Sequence, residues 1–213
     1  MHSSFLTYLK ETLGGELSAL KAHQKMLPPG RRLKTFEEEL SLVKPSSVLL
    51  LLYPEGEHIY VCLIKRTSTM THHPGQISFP GGKFEKGDHS PEMTALREAQ
   101  EEVGINPSLI QVIGKLSELY VEVSKFMIQP FLAWADQKPE FLLNAAEVEE
   151  LILFPLTDFI NHETILETDM DTISGLLRIK YYPFNSEIIW GATAMILSEL
   201  IEIVKRHQRV ITK

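Results

Sequence analysis

The stretch Gly81-Gly82-Lys83-Phe84-Glu85-Lys86-Gly87-Asp88, continuing through Ser90-Pro91-Glu92 to Leu96-Arg97-Glu98-Ala99-Gln100-Glu101-Glu102-Val103-Gly104-Ile105, reads as a glycine-rich loop running into a short helix. At about 100° per residue, Glu98, Glu101 and Glu102 fall within one arc and Leu96, Ala99 and Val103 fall opposite, so one face packs and the other binds. Ser90 is placed to cap the helix, Pro91 to occupy its first position and Gly104 to end it, which crowds the acids into the last two turns. The helix macrodipole disfavours negative charge at that end. Glu98 and Glu102 add a like-charge i, i+4 pair, and each effect costs on the order of a few tenths of a kcal/mol. Arg97 reaches Glu101 at i, i+4, yet one guanidinium does not neutralise three carboxylates. A hard divalent cation with oxygen ligands does, and it also holds a phosphate. A solvated acidic face is the competing reading, and the glycine loop ahead of the helix favours the cation.

Around this stretch lie 213 residues, 44% hydrophobic and 23% charged, the composition of a globular protein with one well-buried core. One domain over residues 1–213 is expected, with 1–30 as an N-terminal helical extension and 193–207 as a closing helix. No apolar run approaches the roughly 20 residues of a membrane span, and the longest, residues 48–53, suits a buried strand. Met1-His2-Ser3-Ser4-Phe5 lacks the basic region and apolar core of a secretory signal, so the expected location is cytoplasmic, with no membrane partner. Cys62 is the sole cysteine, which rules out an intrachain disulfide and a cysteine-based zinc site and fits a reducing compartment. A net charge of −7 argues against a nucleic-acid partner and leaves room for a small anionic substrate at a local basic or metal-filled pocket. A homodimer is the expected assembly.

Phe5, Leu6, Leu9, Leu13, Leu17 and Leu20 recur at helical spacing, so residues 4–26 form an amphipathic helix or two short ones interrupted near Gly14-Gly15. Residues 47–53 and 58–65 read as strands joined by the turn Pro54-Glu55-Gly56-Glu57, a hairpin. Residues 66–80 show no period and read as loop. Strands are expected over 110–116, 119–123, 126–135, 148–153 and 176–182, a short helix over 156–161, and a last helix over 193–207. Strands dominate the middle and helices flank them, which favours an α+β mixed sheet sandwiched by helices over a regular βαβ repeat.

Gly82, five intervening residues, an acid at Asp88, then Arg97-Glu98-Ala99-Gln100-Glu101-Glu102-Val103-Gly104-Ile105 resemble the Nudix box of the Nudix hydrolase superfamily. The usual box has Glu where this chain has Asp88, and seven residues between that acid and the arginine where this chain has eight. Leu63-Ile64-Lys65-Arg66-Thr67-Ser68 and His73-Pro74-Gly75-Gln76-Ile77-Ser78-Phe79-Pro80-Gly81-Gly82 are similar to the segment preceding the box in the coenzyme A pyrophosphatase subgroup, and so is Trp190-Gly191-Ala192-Thr193-Ala194. The resemblance covers roughly residues 35–205. Members of the subgroup often carry basic side chains where this chain has Thr71 and His72.

The resemblance implies a Nudix-type α/β/α sandwich and a diphosphatase that uses Mg2+ or Mn2+ and an attacking water. Glu98 and Glu102, one turn apart, would be the principal metal ligands, with Glu101 as a third ligand or as the base. Arg97 would orient Glu101 or its neighbour. Gly81 and Gly82 would let the backbone approach metal and diphosphate without side-chain obstruction. Glu147, at a loop-to-strand transition, is a further catalytic carboxylate or a solvated one. Arg66, Ser68, His73, Gln76 and Ser78 are the candidate substrate contacts, with loop-stitching as the alternative for His73, Gln76 and Ser78. Cys62, Phe79 and Trp190 read as packing residues. The implied reaction is cleavage of coenzyme A or acyl-CoA to (acyl)phosphopantetheine and adenosine 3′,5′-bisphosphate. The alternatives are the same chemistry on ADP-ribose or another nucleoside diphosphate derivative, a nucleotide-binding sensor without turnover, and, weaker still, an isomerase.

Overall fold

Residues 48–53 lie at the centre of the molecule because their strand is flanked on both sides and covered on both faces. The computed structural model describes residues 2–15, 17, 19–33, 43–69, 74–161, 163–172 and 175–211. In chain order these form α1 (His2–Leu13), α2 (Ala19–Lys25), β1 (Lys44–Glu55), β2 (His58–Arg66), β3 (Ile77–Ser78), β4 (Gly81–Lys83), α3 (Pro91–Val103) and a 3-10 turn (Pro107–Leu109). There follow β5 (Gln111–Lys115), β6 (Leu119–Val121), β7 (Phe126–Trp134), β8 (Val148–Pro155), α4 (Leu156–Asn161), β9 (Leu166–Thr172), β10 (Gly175–Phe184), β11 (Glu187–Trp190) and α5 (Gly191–Ile211).

Among the described residues, one eight-stranded mixed sheet runs β3-β2-β1-β7-β5, with β4 on β1, β6 on β7 and β8 on β2. β1 pairs parallel with β7 and antiparallel with β2 and β4, so its backbone donors and acceptors are consumed on both edges. Its side chains alternate. Leu50 and Leu52 enter a core shared with α1, α4, α5 and Met26 just after α2, while Leu49, Leu51 and Tyr53 enter a second core beneath α3. This is an α+β sandwich with helices on both faces of a mixed sheet.

The expected hairpin, the break between the two N-terminal helices and the α4 helix are present, and α5 runs longer than expected. The loop reading of 66–80 is corrected by the two-residue strand β3, and β4, β9 and β11 are strands where none was expected. β9, Leu-Glu-Thr-Asp-Met-Asp-Thr, has little apolar pattern to read; it is held by pairing along β10, with Arg178 bridging Glu167 and Asp169.

On the far face, α2 and α5 are joined by a buried polar set. His23 Nε2 meets Glu199 Oε2 at 3.1 Å, Glu199 Oε1 accepts from the Ser117 hydroxyl at 2.8 Å, and the Ser198 hydroxyl donates to the Ala22 carbonyl. On the near face, α3 is set by its two ends. The Ser90 hydroxyl accepts from the Met93 N–H at 3.2 Å with Pro91 at the first helical position, and Gly104 closes the helix in the left-handed region at φ 71°. The carbonyls of Glu102 and Val103, left over at the helix C-terminus, accept from the N–H groups of Asn144 and Leu142. The β7–β8 loop therefore caps the helix.

The loop from β4 to α3 is pinned by Asp88. Arg97 Nε and Nη2 grip its two oxygens at 2.9 and 3.1 Å, Thr94 Oγ1 and the Glu85 N–H add bonds of 2.9 Å each, and a further Arg97 Nη2 bond reaches the Lys83 carbonyl at 3.0 Å. Aspartate at this position reaches Arg97 with both oxygens, and Ser90 and Pro91, between them in sequence, form the helix cap. Arg97 holds the Asp88 carboxyl well below the usual carboxylate range, against the opposing effect of burial. Asp88→Asn is expected to cost about 1–2 kcal/mol at neutral pH in urea unfolding. A depressed folded-state value means that this advantage is complete above the ordinary aspartate range near pH 4 and fades as the pH falls through the folded-state value. A loss that stays constant down to strongly acid pH would refute the ion pair as its source.

Candidate metal centre

Glu102 lies at the middle of the site and is the least expected of its carboxylates. The helical wheel groups it with Glu98 and Glu101 on an outward face, but the structure separates the three. The Glu102 side chain is 1% exposed, Glu98 14% and Glu101 54%. Ala95 and Ala99 line the buried side of α3 in the core with Leu49 and Leu51, while Glu98 faces Gly82 and Glu102 faces Gly81.

Its two oxygens are divided between two donors. The Gly81 N–H donates to Oε2 at 2.8 Å and Arg66 Nη1 donates to Oε1 at 3.1 Å. Gly81 achieves this at φ 154°, where an added Cβ would lie 2.6 Å from the Val48 Cα. Any side chain at Gly82 would overlap the Glu98 carboxylate. Gly81 is therefore required by its backbone angle and by the backbone it approaches, whereas at Gly82 a side chain would displace the Glu98 carboxylate from the place it now occupies. Burial pushes the Glu102 carboxyl up to about 7, with Glu98 and Glu147 adding to the push and the Gly81 N–H and Arg66 opposing it. Burial also raises Glu98, against Arg97, with Glu101 and Glu147 adding.

Glu147 thus belongs to the same electrostatic cluster. Asn144 aims it: its side-chain amide donates to Glu147 Oε1 at 3.2 Å, its side-chain oxygen accepts from the Ala146 N–H, and its own N–H caps Glu102. The Thr67 N–H donates to the Glu147 carbonyl at 2.9 Å, which ties the loop back to the end of β2. Arg97, besides gripping Asp88, contacts Glu98 Oε1 at 2.9 Å and Glu101 Oε2 at 3.0 Å.

The remaining candidates are placed less uniformly. Ser68 is exposed in the turn after β2, and Gln76 is half-buried with its carbonyl accepting from the Arg66 N–H. Ser78 sits opposite Ile64, its hydroxyl buried without a hydrogen-bond partner among the described residues. His73, like Thr71 and His72, lies outside the described residues. Cys62 is buried, with its thiol pushed up by burial and then by Glu102, in keeping with a packing role. Phe79 is a core residue as expected.

Two residues were missed in the sequence. Asn144 was legible in principle, as an Asx-turn residue three before Glu147. Ser47 was not, because its position depends on strand register: it pairs with Gly82, its residue is 1% exposed, and its hydroxyl has no partner among the described residues. Directly opposite residues on one sheet face have Cβ positions about 5 Å apart. The hydroxyl is therefore beside the space that Glu98 fills.

The donor set suits a hard divalent cation: oxygen atoms alone, several of them anionic, with a carboxylate buried at an electrostatic cost and an unpartnered hydroxyl beside it. Among the described residues no three such side chains are already gathered for coordination. Arg66 and Arg97 occupy the carboxylates instead. The residues that could hold a cation are Glu98, Glu102 and Glu147, with Glu101 at the exposed margin.

Known proteins place this geometry in a family. The NUDIX domain model matches residues 43–174, spanning the sheet, α3 and Glu147. Nudix hydrolase 15, mitochondrial, of Arabidopsis thaliana is 31% identical over 196 residues, 88% of this chain and 66% of its own length. The peroxisomal coenzyme A diphosphatase NUDT7 of Mus musculus is 35% identical over 129 residues, 61% of this chain and 54% of its own. The chain therefore spans less than two thirds of either relative. In fold it is similar to the Nudix hydrolase RenU from M. smegmatis, with a TM-score of 0.54 at 18% identity over 76% of this chain and 86% of that one. With its box on α3 and most of its sheet inside the matched span, the chain belongs to the NUDIX domain family.

Proposed function

We propose that this chain is a divalent-cation-dependent diphosphatase that hydrolyses coenzyme A or acyl-CoA to (acyl)phosphopantetheine and adenosine 3′,5′-bisphosphate. The observation that carries the hydrolase reading is the cluster of Glu98, Glu102 and Glu147 against the side-chain-free backbone of Gly81-Gly82. The coenzyme A assignment is supported by the subgroup resemblance of residues 63–82 and by the similarity to the mouse coenzyme A diphosphatase.

Bound Mg2+ or Mn2+ would neutralise charge on the diphosphate and acidify a coordinated water. The chain's own residues do the rest. Glu98, Glu102 and Glu147 would hold the cation. The glycine backbone gives the diphosphate access at the same edge. Arg97, anchored by Asp88, keeps Glu98 and Glu101 in line with the loop. Glu101, the carboxylate most open to solvent, accepts the proton that the attacking water gives up. Water adds at phosphorus, one P–O bond of the diphosphate breaks, and the departing phosphate carries the electron pair. A cation held there would meet the negative charge that develops on the phosphoryl and leaving oxygens, and so would favour the transition state over the bound substrate.

The purified protein with Mg2+ is expected to turn over coenzyme A and acyl-CoA faster than ADP-ribose or a dinucleoside polyphosphate, with adenosine 3′,5′-bisphosphate identified as product by mass. Equal or better turnover of ADP-ribose would sink the coenzyme A assignment. Glu102→Gln should lower turnover at least about a hundredfold while the circular dichroism spectrum is retained.

Acidity supplies a second test. Since burial pushes Glu102 up to about 7 in the metal-free protein, a proton competes with the cation below that value. Mn2+ affinity measured by calorimetry should rise with pH between about 6 and 8, with net proton release on binding. An affinity flat across that range would show that Glu102 carries no proton for the cation to displace.

A further inference from the structure

Arg66 ends β2 at the point where three parts of the site meet. Its N–H donates to the Gln76 carbonyl at 3.0 Å and its carbonyl accepts from the Gly75 N–H at 3.1 Å, which fixes its backbone to the loop ahead of the box. On the β8 side the pairing steps from Lys65 opposite Glu150 to Arg66 opposite Val148, so that Glu149 is an extra, bulged residue. Bulges re-aim neighbouring side chains. This one sets Arg66 opposite the residue that follows Glu147, while Lys65 pairs with Glu149 and Glu187.

The two donors on Glu102 differ in kind. The Gly81 N–H belongs to a paired strand and cannot withdraw without breaking β4. Arg66 has a long side chain that is 17% exposed, against 1% for its partner carboxylate. Arg97 is committed elsewhere, to Asp88, Glu98, Glu101 and the Lys83 carbonyl. One oxygen of Glu102 is therefore held by a fixed dipole and the other by a cation able to leave.

We propose that Arg66 is an exchangeable counter-ion: it neutralises Glu102 while no metal is bound, releases Glu102 Oε1 to an incoming divalent cation, and so frees its guanidinium for the substrate diphosphate. Planar, always charged and well matched to phosphate oxygens, arginine suits both partners. The exchange makes Arg66 a competitor of the metal. It also couples the two ligands, because a diphosphate that captures the released guanidinium stops it from returning to Glu102. The inference rests on the reading of Glu98 and Glu102 as metal-holding residues.

The test is Mn2+ titration by calorimetry, with thermal unfolding of the same samples, on wild type, Arg66→Met and Glu102→Gln of the full chain stripped of metal. Arg66→Met should lower the melting temperature of the metal-free protein, tighten Mn2+ binding roughly fivefold, and enlarge the thermal shift on adding Mn2+. In wild type, adding a non-hydrolysable diphosphate should tighten Mn2+ binding, and Arg66→Met should remove most of that gain. Should Arg66→Met not fold, Arg66→Lys serves the same purpose, since a single-point ammonium holds the carboxylate less well and should give a smaller tightening. Mn2+ affinity that is unchanged or weaker in the arginine variant, while Glu102→Gln abolishes binding, overturns the exchange and leaves the metal site standing. Wild-type Mn2+ binding in Glu102→Gln would remove the metal site itself, and the exchange with it.

Discussion

A carboxylate buried beneath a helix is costly unless its oxygens are matched, and Glu102 imposes that requirement on everything around it. The Gly81 N–H must point into the core, which asks for a backbone angle that side chains disfavour. Glu98 takes the place that a side chain at Gly82 would fill. The α3 helix must present alanines at positions 95 and 99 to come close enough, and Arg66 must reach in from the end of β2. The candidate site is the set of residues that together make one buried charge tolerable. A cation that relieved the same charge would be bound by the energy otherwise spent in holding it there.

The two faces of the sheet divide the labour. Bulky Leu, Phe and Ile side chains from β1, β2, β8 and α5 fill the face away from α3, and the buried His23, Glu199 and Ser117 set joins α2 and α5 to the β5–β6 connection. A buried polar set of this kind tolerates few alternative helix arrangements, because any shift leaves a charge unmatched. The α3 face is packed with smaller residues and carries the acids. Bulk on one side stabilises the sheet from which the chemistry on the other is suspended.

The loop carrying Asn144 and Glu147 shows how a distant segment enters the site. Its N–H groups satisfy the carbonyls that the C-terminus of α3 leaves open, so the ending of the helix and the placing of Glu147 are one event. Asp88 does the corresponding work at the helix start, gripping Arg97 while accepting from its own loop. The helix is thereby clamped at both ends by the segments that supply its neighbours in the site.

Much of this was legible in the chain itself. Periodicity located the long helices, the apolar run at 48–53 located the central strand, and the caps Ser90 and Gly104 bounded α3, because these depend on residues close in sequence. The box residues Arg97, Glu98, Glu101 and Glu102 could be named for the same reason. Other features rest on pairs that no local pattern contains. β3, β4 and β11 are too short to show alternation and exist through their partner strands, and acidic β9 is held along β10. The burial of Glu102, its sharing between Gly81 and Arg66, the register that sets Ser47 across from Gly82, and the entry of Glu147 were decided by tertiary structure alone. A sequence determines which side chains carry charge and where helices begin and end; which charges are drawn out of water follows from the surfaces that later close over them.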